Sequence, residues 1–130
     1  MVTDASQLPG IDPSWVRTYN VDRLGTSETF AVLENSPENP VGTIVCVHGN
    51  PTWSYLWRNF VRELSTSWRI IAVDQLGMGF SSRSNGVRTL STRIDDLDAL
   101  LSAANVAGPV TLIAHDWGGP VALGWANQHP

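Results

Sequence analysis

The chain has 130 residues and a net charge of −4, a length that suits one modest domain rather than two. Hydrophobic residues make up 42% and charged residues 15%, so the composition is that of a globular chain and not a disordered one. With no basic stripe, neither nucleic acid nor an anionic membrane surface is expected as a partner. Met1–Gln7 lacks the basic start and apolar stretch of a signal peptide. No unbroken apolar segment reaches the length of a membrane span, and a cytoplasmic location is expected. The single cysteine, Cys46, lies in an apolar run; it can form no internal disulfide and reads as a small buried hydrophobe in a reducing compartment.

Pro9, Pro13, Pro37 and Pro40 punctuate the first forty residues and suggest loops around two short strands. These are placed near Thr18–Leu24 and Glu28–Leu33, with Gly25-Thr26-Ser27 turning between them. Thr43–His48 is a nearly continuous β-branched run, as expected of a strand buried on both faces. Leu56, Phe60 and Leu64 then recur at helical spacing, with Thr52 or Ser54 available as a cap. Arg69–Asp74 reads as a second buried strand, followed by a Gly-rich loop through Gly77 and Gly79. From about Thr89 to Val106, Leu90, Ile94, Leu97 and Leu101 share one helical face, and Asp95, Asp96 and Asp98 fall mostly off it. Val110–Ala114 is a third apolar strand, and a further helix begins at Gly118. Alternating strands and helices at this spacing imply right-handed crossovers and a parallel sheet. In such sheets chemistry gathers at the carboxyl ends of the strands, and the three oddly composed polar stretches, His48–Trp53, Asp74–Ser82 and His115–Gly119, all fall there.

Ala114-His115-Asp116-Trp117-Gly118 places small residues two before and two after Asp116, between a strand and a helix. This is the frame of a nucleophile elbow, in which small flanking residues let the backbone turn sharply and expose one side chain. An N-cap aspartate would satisfy the same segment taken alone. Asp74 with Gly77 and Gly79 does not make a nucleotide loop, because no helix starts directly after it; the segment reads as a turn supporting the floor of a site.

Taken together, HGNPTW-SYLWR from His48, DQLGMGFS from Asp74 and HDWGG from His115 resemble haloalkane dehalogenases of the α/β-hydrolase fold, over roughly residue 18 to the end. The resemblance implies that residues 1–130 are the N-terminal part of a single α/β-hydrolase domain, with a parallel-sheet fold truncated after the nucleophile elbow and its helix. It implies Asp116 as the nucleophile, the side chains of Asn50 and Trp117 as halide donors, and their backbone N–H groups as donors to an oxyanion. Asn50 as a plain turn residue and Trp117 as a packed aromatic are the ordinary alternatives. His48, Gly49 and Gly118 are assigned to shaping the loops; His115 is read as structural and His129 as solvated. A catalytic histidine, its acid, the last strands and a helical cap are implied beyond residue 130, so these residues alone would be alkylated once without turning over. Strand Val110–Ala114 would then be an apolar edge awaiting a partner.

The chemistry fits the residue type. Displacing halide with a serine would leave an unhydrolysable ether, whereas a carboxylate gives an alkyl ester that water can attack. The expected substrate is a small apolar haloalkane or epoxide, and no metal or organic cofactor is implied. An epoxide hydrolase and a dehalogenase-like β-lactone decarboxylase are the enzymatic alternatives. Asn50 favours the dehalogenase over the epoxide hydrolase, whose corresponding residue is usually apolar or aromatic. A non-catalytic remnant or interaction module, or a chain fused to or completed by a C-terminal segment, stands as the reading from another class.

Overall fold

The apolar runs at 43–47 and 69–73 build the centre of the fold. In a computed structural model describing residues 3–84 and 86–130, they form strands β3 (Thr43–Val47) and β4 (Arg69–Val73), paired in parallel from Thr43↔Arg69 to Val47↔Val73. Strand side chains alternate between faces, and both faces here are dry. Val45, Val47, Ile71 and Val73 point into one core, and Ile44, Cys46, Ile70 and Ala72 into another. That two-sided burial explains why neither run shows polar alternation.

β5 (Val110–Ala114) pairs in parallel with the other side of β3. The N-terminal strands β1 (Val16–Arg23) and β2 (Thr26–Asn35) extend the sheet antiparallel, giving the order β1-β2-β4-β3-β5. The sheet is thus mixed, and the expected parallel arrangement holds for β4-β3-β5. The turn between the first two strands is Leu24-Gly25, both with positive φ (51° and 78°), rather than the 25–27 segment expected. A two-residue hairpin with both central residues in the left-handed region matches the twist of the flanking strands.

One face of the sheet carries α2 (Leu90–Ala103) and α3 (Gly118–Gln128), through Leu97, Leu100, Leu101, Val121 and Ala122. The other carries α1 (Arg58–Leu64) and the 3-10 turn Ser54–Trp57 that leads into it. Here the sequence reading needs two corrections. Leu56 and Phe60 are 40% and 42% exposed, while Trp57 and Val61 are the buried pair. Two apolar stripes lie side by side on this segment, and periodicity alone does not choose between them. Neither Thr52 nor Ser54 supplies the cap: the capping position is Trp53, with no side-chain bond, and the N–H of Ser54 is met instead by Oδ1 of Asp74 at 2.7 Å.

The third difference is Asp96, expected off the apolar face of α2 and found buried. Its carboxylate accepts Nε of Arg23 (2.7 Å) and both Nε and Nη2 of Arg88 (2.6 Å each), so the buried charge is paired. β5 forms one edge of the described sheet, and Leu123 on the outer side of α3 is 71% exposed. None of the described helices is long and apolar enough to cross a membrane.

Removing the acid should strand two arginines. Asp96→Ala is expected to lower unfolding free energy by about 3 kcal/mol, read by urea denaturation; a loss below about 1 kcal/mol, the scale of an exposed pair, would show that the triad is solvent-screened.

Candidate active site

Three loops converge at the carboxyl ends of β3, β4 and β5. At the end of β5, the His115 N–H donates to the Val47 carbonyl at 3.1 Å, the last tie between the strands. The chain then reverses: Asp116 sits at φ 56°, in the left-handed region, and α3 starts two residues later. Aspartate tolerates that region better than most residues with a side chain, though at some cost. The result is a carboxyl group that stands exposed at a strand-to-helix bend, as an elbow requires.

Two glycines permit the approach. A Cβ on Gly118 would lie 2.1 Å from the Val47 carbonyl oxygen, so only glycine lets the first turn of α3 rest on the end of β3. A Cβ on Gly49 would lie 2.4 Å from both Cβ and Oδ2 of Asp116. With that space open, the Asn50 N–H reaches Oδ2 of Asp116 at 3.0 Å. The backbone N–H groups of Trp117 and then Asn50 hold the Asp116 carboxyl below its ordinary value of 3.8, because each donates to the charged form.

Asn50 and Trp117 line the same cleft, of about 240 Å³, together with Gln75, Arg88 and Arg93. Trp117 is 58% exposed among the described residues. Neither the Asn50 amide nor the Trp117 indole N–H has a hydrogen-bond partner among the described residues, so both donors are free to meet a ligand. Asn50 also borders a second, wider cleft of about 450 Å³ walled by Trp53, Met78 and Phe80.

His48 is fully buried. Its Nε2 accepts the Gln75 N–H at 3.0 Å, and its Nδ1 lies 2.8 Å from the Gly49 carbonyl. An acceptor at Nε2 and a carbonyl at Nδ1 select the neutral tautomer protonated at Nδ1, and burial pushes its pKa down. The ring ties the loop after β3 to the loop after β4. His115 is exposed, and His129 is half-exposed beside Asp98 and the Trp125 carbonyl. None of the three histidines hydrogen-bonds Asp116 among the described residues.

Asp74 does more than the sequence reading assigned to its loop. Buried, it accepts the N–H of Ser54 on Oδ1 and that of Phe80 on Oδ2 (2.7 and 2.9 Å), clasping the loops after β3 and β4 together. Gly79, at φ 54°, is the residue whose Cβ would strike that carboxylate, at 2.2 Å. Gln75 adds a bond from Nε2 to the His48 carbonyl (2.6 Å). The available signal was a charged residue ending an apolar strand, which calls for buried partners.

A family model described as alpha/beta hydrolase fold matches residues 42–130, and the chain belongs to that family. Over 94 residues it is 45% identical to a cis-3-alkyl-4-alkyloxetan-2-one decarboxylase from Xanthomonas campestris pv. campestris, covering 66% of this chain and 31% of that protein. Over 90 residues it is 42% identical to a haloalkane dehalogenase from Mycolicibacterium smegmatis, covering 66% and 29%. The crystal structure of the haloalkane dehalogenase DatA from Agrobacterium tumefaciens C58 superposes with a TM-score of 0.74 at 35% identity, covering 88% of this chain and 38% of that one. The chain thus resembles haloalkane dehalogenases and spans about a third of the length of the curated relatives it matches.

Two measurements probe this architecture. Gly49→Ala and Gly118→Ala should each cost at least about 1–3 kcal/mol in urea denaturation, because a methyl group is forced against backbone or the elbow carboxyl. His48 is neutral when folded and protonates more readily when unfolded, so its contribution is complete above about pH 6.5 and is lost as pH falls below that toward its depressed folded value. Stability should therefore decline from pH 7 to pH 5, and His48→Asn, though less stable throughout, should show a flatter decline; parallel curves would mean that the ring titrates as freely as in the unfolded chain.

Proposed function

We propose that this chain carries the nucleophile and the leaving-group site of a hydrolase resembling haloalkane dehalogenases. The observation that carries the reading is the exposed Asp116 carboxylate at a left-handed elbow, with Oδ2 held by the Asn50 N–H and two free donor side chains beside it. Oδ1 of Asp116 attacks the sp³ carbon bearing the halogen. An ester oxygen–carbon bond forms as the carbon–halogen bond breaks, and the halide takes the electron pair. The indole N–H of Trp117 and the amide of Asn50 receive that charge where it develops.

Hydrolysis then needs water at the ester carbonyl carbon. The oxygen that becomes negative is Oδ2, already held by the Asn50 N–H, and the Trp117 N–H is the other backbone donor to this carboxyl, so the groups that lower the carboxyl pKa also stabilise the tetrahedral intermediate. The activating base is assigned to a histidine outside these 130 residues, and turnover to the full-length protein. The substrate class is a small apolar haloalkane.

A second reading has a specific observation behind it, the 45% identity to a protein named an oxetan-2-one decarboxylase. A β-lactone offers Asp116 the same kind of target, an sp³ carbon bearing an oxygen leaving group. Its leaving group is the ring carboxylate in place of halide.

Halide release by the full-length protein tests the first reading. Asp116→Ala should lower it at least about a thousandfold. Asn50→Ala should lower it about a hundredfold, and should impair epoxide opening less. Alkylation of Asp116 by 1-bromohexane should be independent of pH from 5 to 8, since its carboxyl lies below 3.8. A full-length protein that neither releases halide nor forms an adduct at Asp116, detected by peptide mass spectrometry, would be an interaction module and not this enzyme.

A further inference from the structure

Behind the Asn50 N–H that meets Asp116 lies a carbonyl with more donors than its turn requires. Gly49 and Asn50 share one planar trans peptide, in which the C=O and the N–H point in opposite directions. Whatever fixes the Gly49 carbonyl therefore aims the Asn50 N–H. Three donors converge on that carbonyl: the Thr52 N–H at 3.1 Å, the Thr52 hydroxyl at 2.9 Å and Nδ1 of His48 at 2.8 Å. The first closes an ordinary four-residue turn. The other two are surplus to that turn.

His48 and Gly49 are buried, and the imidazole is itself held by the Gln75 N–H, so its direction is set from the loop after β4. The Thr52 hydroxyl is the side-chain donor that this loop supplies from its far end, and it caps no helix. Donors on a carbonyl also polarise the amide and strengthen the N–H at its other end. There the Asn50 N–H donates to Oδ2 of Asp116 at 3.0 Å. Its aim matters for one half of a displacement followed by hydrolysis. When the ester forms, Asp116 gives up negative charge, and a donor on Oδ2 offers that step nothing. When water adds to the ester carbonyl, the electron pair moves onto Oδ2, and an aimed donor stabilises the charge as it develops.

We propose that Thr52 is a positioning residue whose hydroxyl, through the Gly49 carbonyl, aims the Asn50 N–H for hydrolysis of the alkyl ester and not for its formation. The inference rests on Asp116 being the nucleophile. In that hydrolysis the water oxygen bonds to Cγ of Asp116, and one of its protons goes to the base assigned to the full-length protein. Collapse of the intermediate returns the electron pair from Oδ2 and breaks the Cγ–Oδ1 bond, and the alcohol leaves with that proton. The second proton of water passes to solvent as the carboxylate re-forms. Thr52 touches none of these atoms and acts only on the direction and strength of the donor facing Oδ2.

The test uses the full-length protein with Thr52→Val, which keeps the shape and the backbone N–H, and Thr52→Ser, which keeps the hydroxyl. Rapid mixing with 1-bromohexane separates the two steps: the halide burst reads alkylation, and decay of the Asp116 adduct by quench and mass spectrometry reads hydrolysis. Hydrolysis should slow at least about fivefold in Thr52→Val, the scale of one neutral hydrogen bond, with alkylation unchanged. Thr52→Ser should hydrolyse the ester like the unsubstituted protein. Hydrogen exchange at the Asn50 amide, followed by NMR, should quicken at least about fivefold in Thr52→Val and not in Thr52→Ser. A merely structural loosening would slow both chemical steps together; that result, or unchanged hydrolysis, overturns the proposal. Should Thr52→Val fail to fold, Thr52→Ala against Thr52→Ser is read the same way. Exchange at Asn50 reads Thr52 whether or not Asp116 attacks, so unchanged exchange overturns the positioning role, whereas absence of an Asp116 adduct overturns the nucleophile alone.

Discussion

The contact on which the site depends is the close approach of the loop after β3 to the elbow after β5, closed by the 3.0 Å bond from the Asn50 N–H to Oδ2 of Asp116. It requires glycine on both sides, because Gly49 and Gly118 each leave room that a single methyl group would fill. The parallel pairing of β3 with β5, in register from Thr43↔Val110 to Val47↔Ala114, brings the two loops out side by side. An elbow on a sheet without that register would expose a carboxyl group with nothing opposite it.

Around this contact the loops are held by buried polar groups in place of apolar packing. Asp74 clasps Ser54 and Phe80, and His48 with Gln75 stitches the loops after β3 and β4 together. Each of these groups is buried and satisfied, the condition under which polar networks rigidify a structure. The same arrangement keeps His48 neutral and structural, so the histidine nearest in sequence to the donor loop is unavailable as a base. A rigid floor matters for a displacement reaction, in which the attacking oxygen and the donors to the leaving group must lie on opposite sides of one carbon.

Charge is distributed unevenly around the cleft. Asn50 and Trp117 contribute neutral donors to it, and Arg88 and Arg93 contribute cations. The buried Asp96 fixes Arg23 and Arg88 but leaves Arg93 to the cleft.

Much of this was legible in the chain order of residues. The apolar, β-branched runs at 44–47 and 70–73 announce strands buried on both faces, since nothing polar interrupts them. The glycines flanking Asp116 announce a tight bend, since only small side chains fit one. The resemblance of HGNPTW, DQLGMGFS and HDWGG to one family placed the candidate donors. Other features belonged to the tertiary structure alone. Which stripe of α1 faces inward depends on its approach to the sheet, so Trp57 and Val61 are buried where Leu56 and Phe60 satisfied the spacing equally well. The partner of the Ser54 N–H is Asp74 in the loop after β4, and the buried Asp96 is paired by Arg88 from the preceding loop and by Arg23 from the distant β1. Local pattern records what one segment needs; which distant group meets that need is decided only when the chain closes on itself.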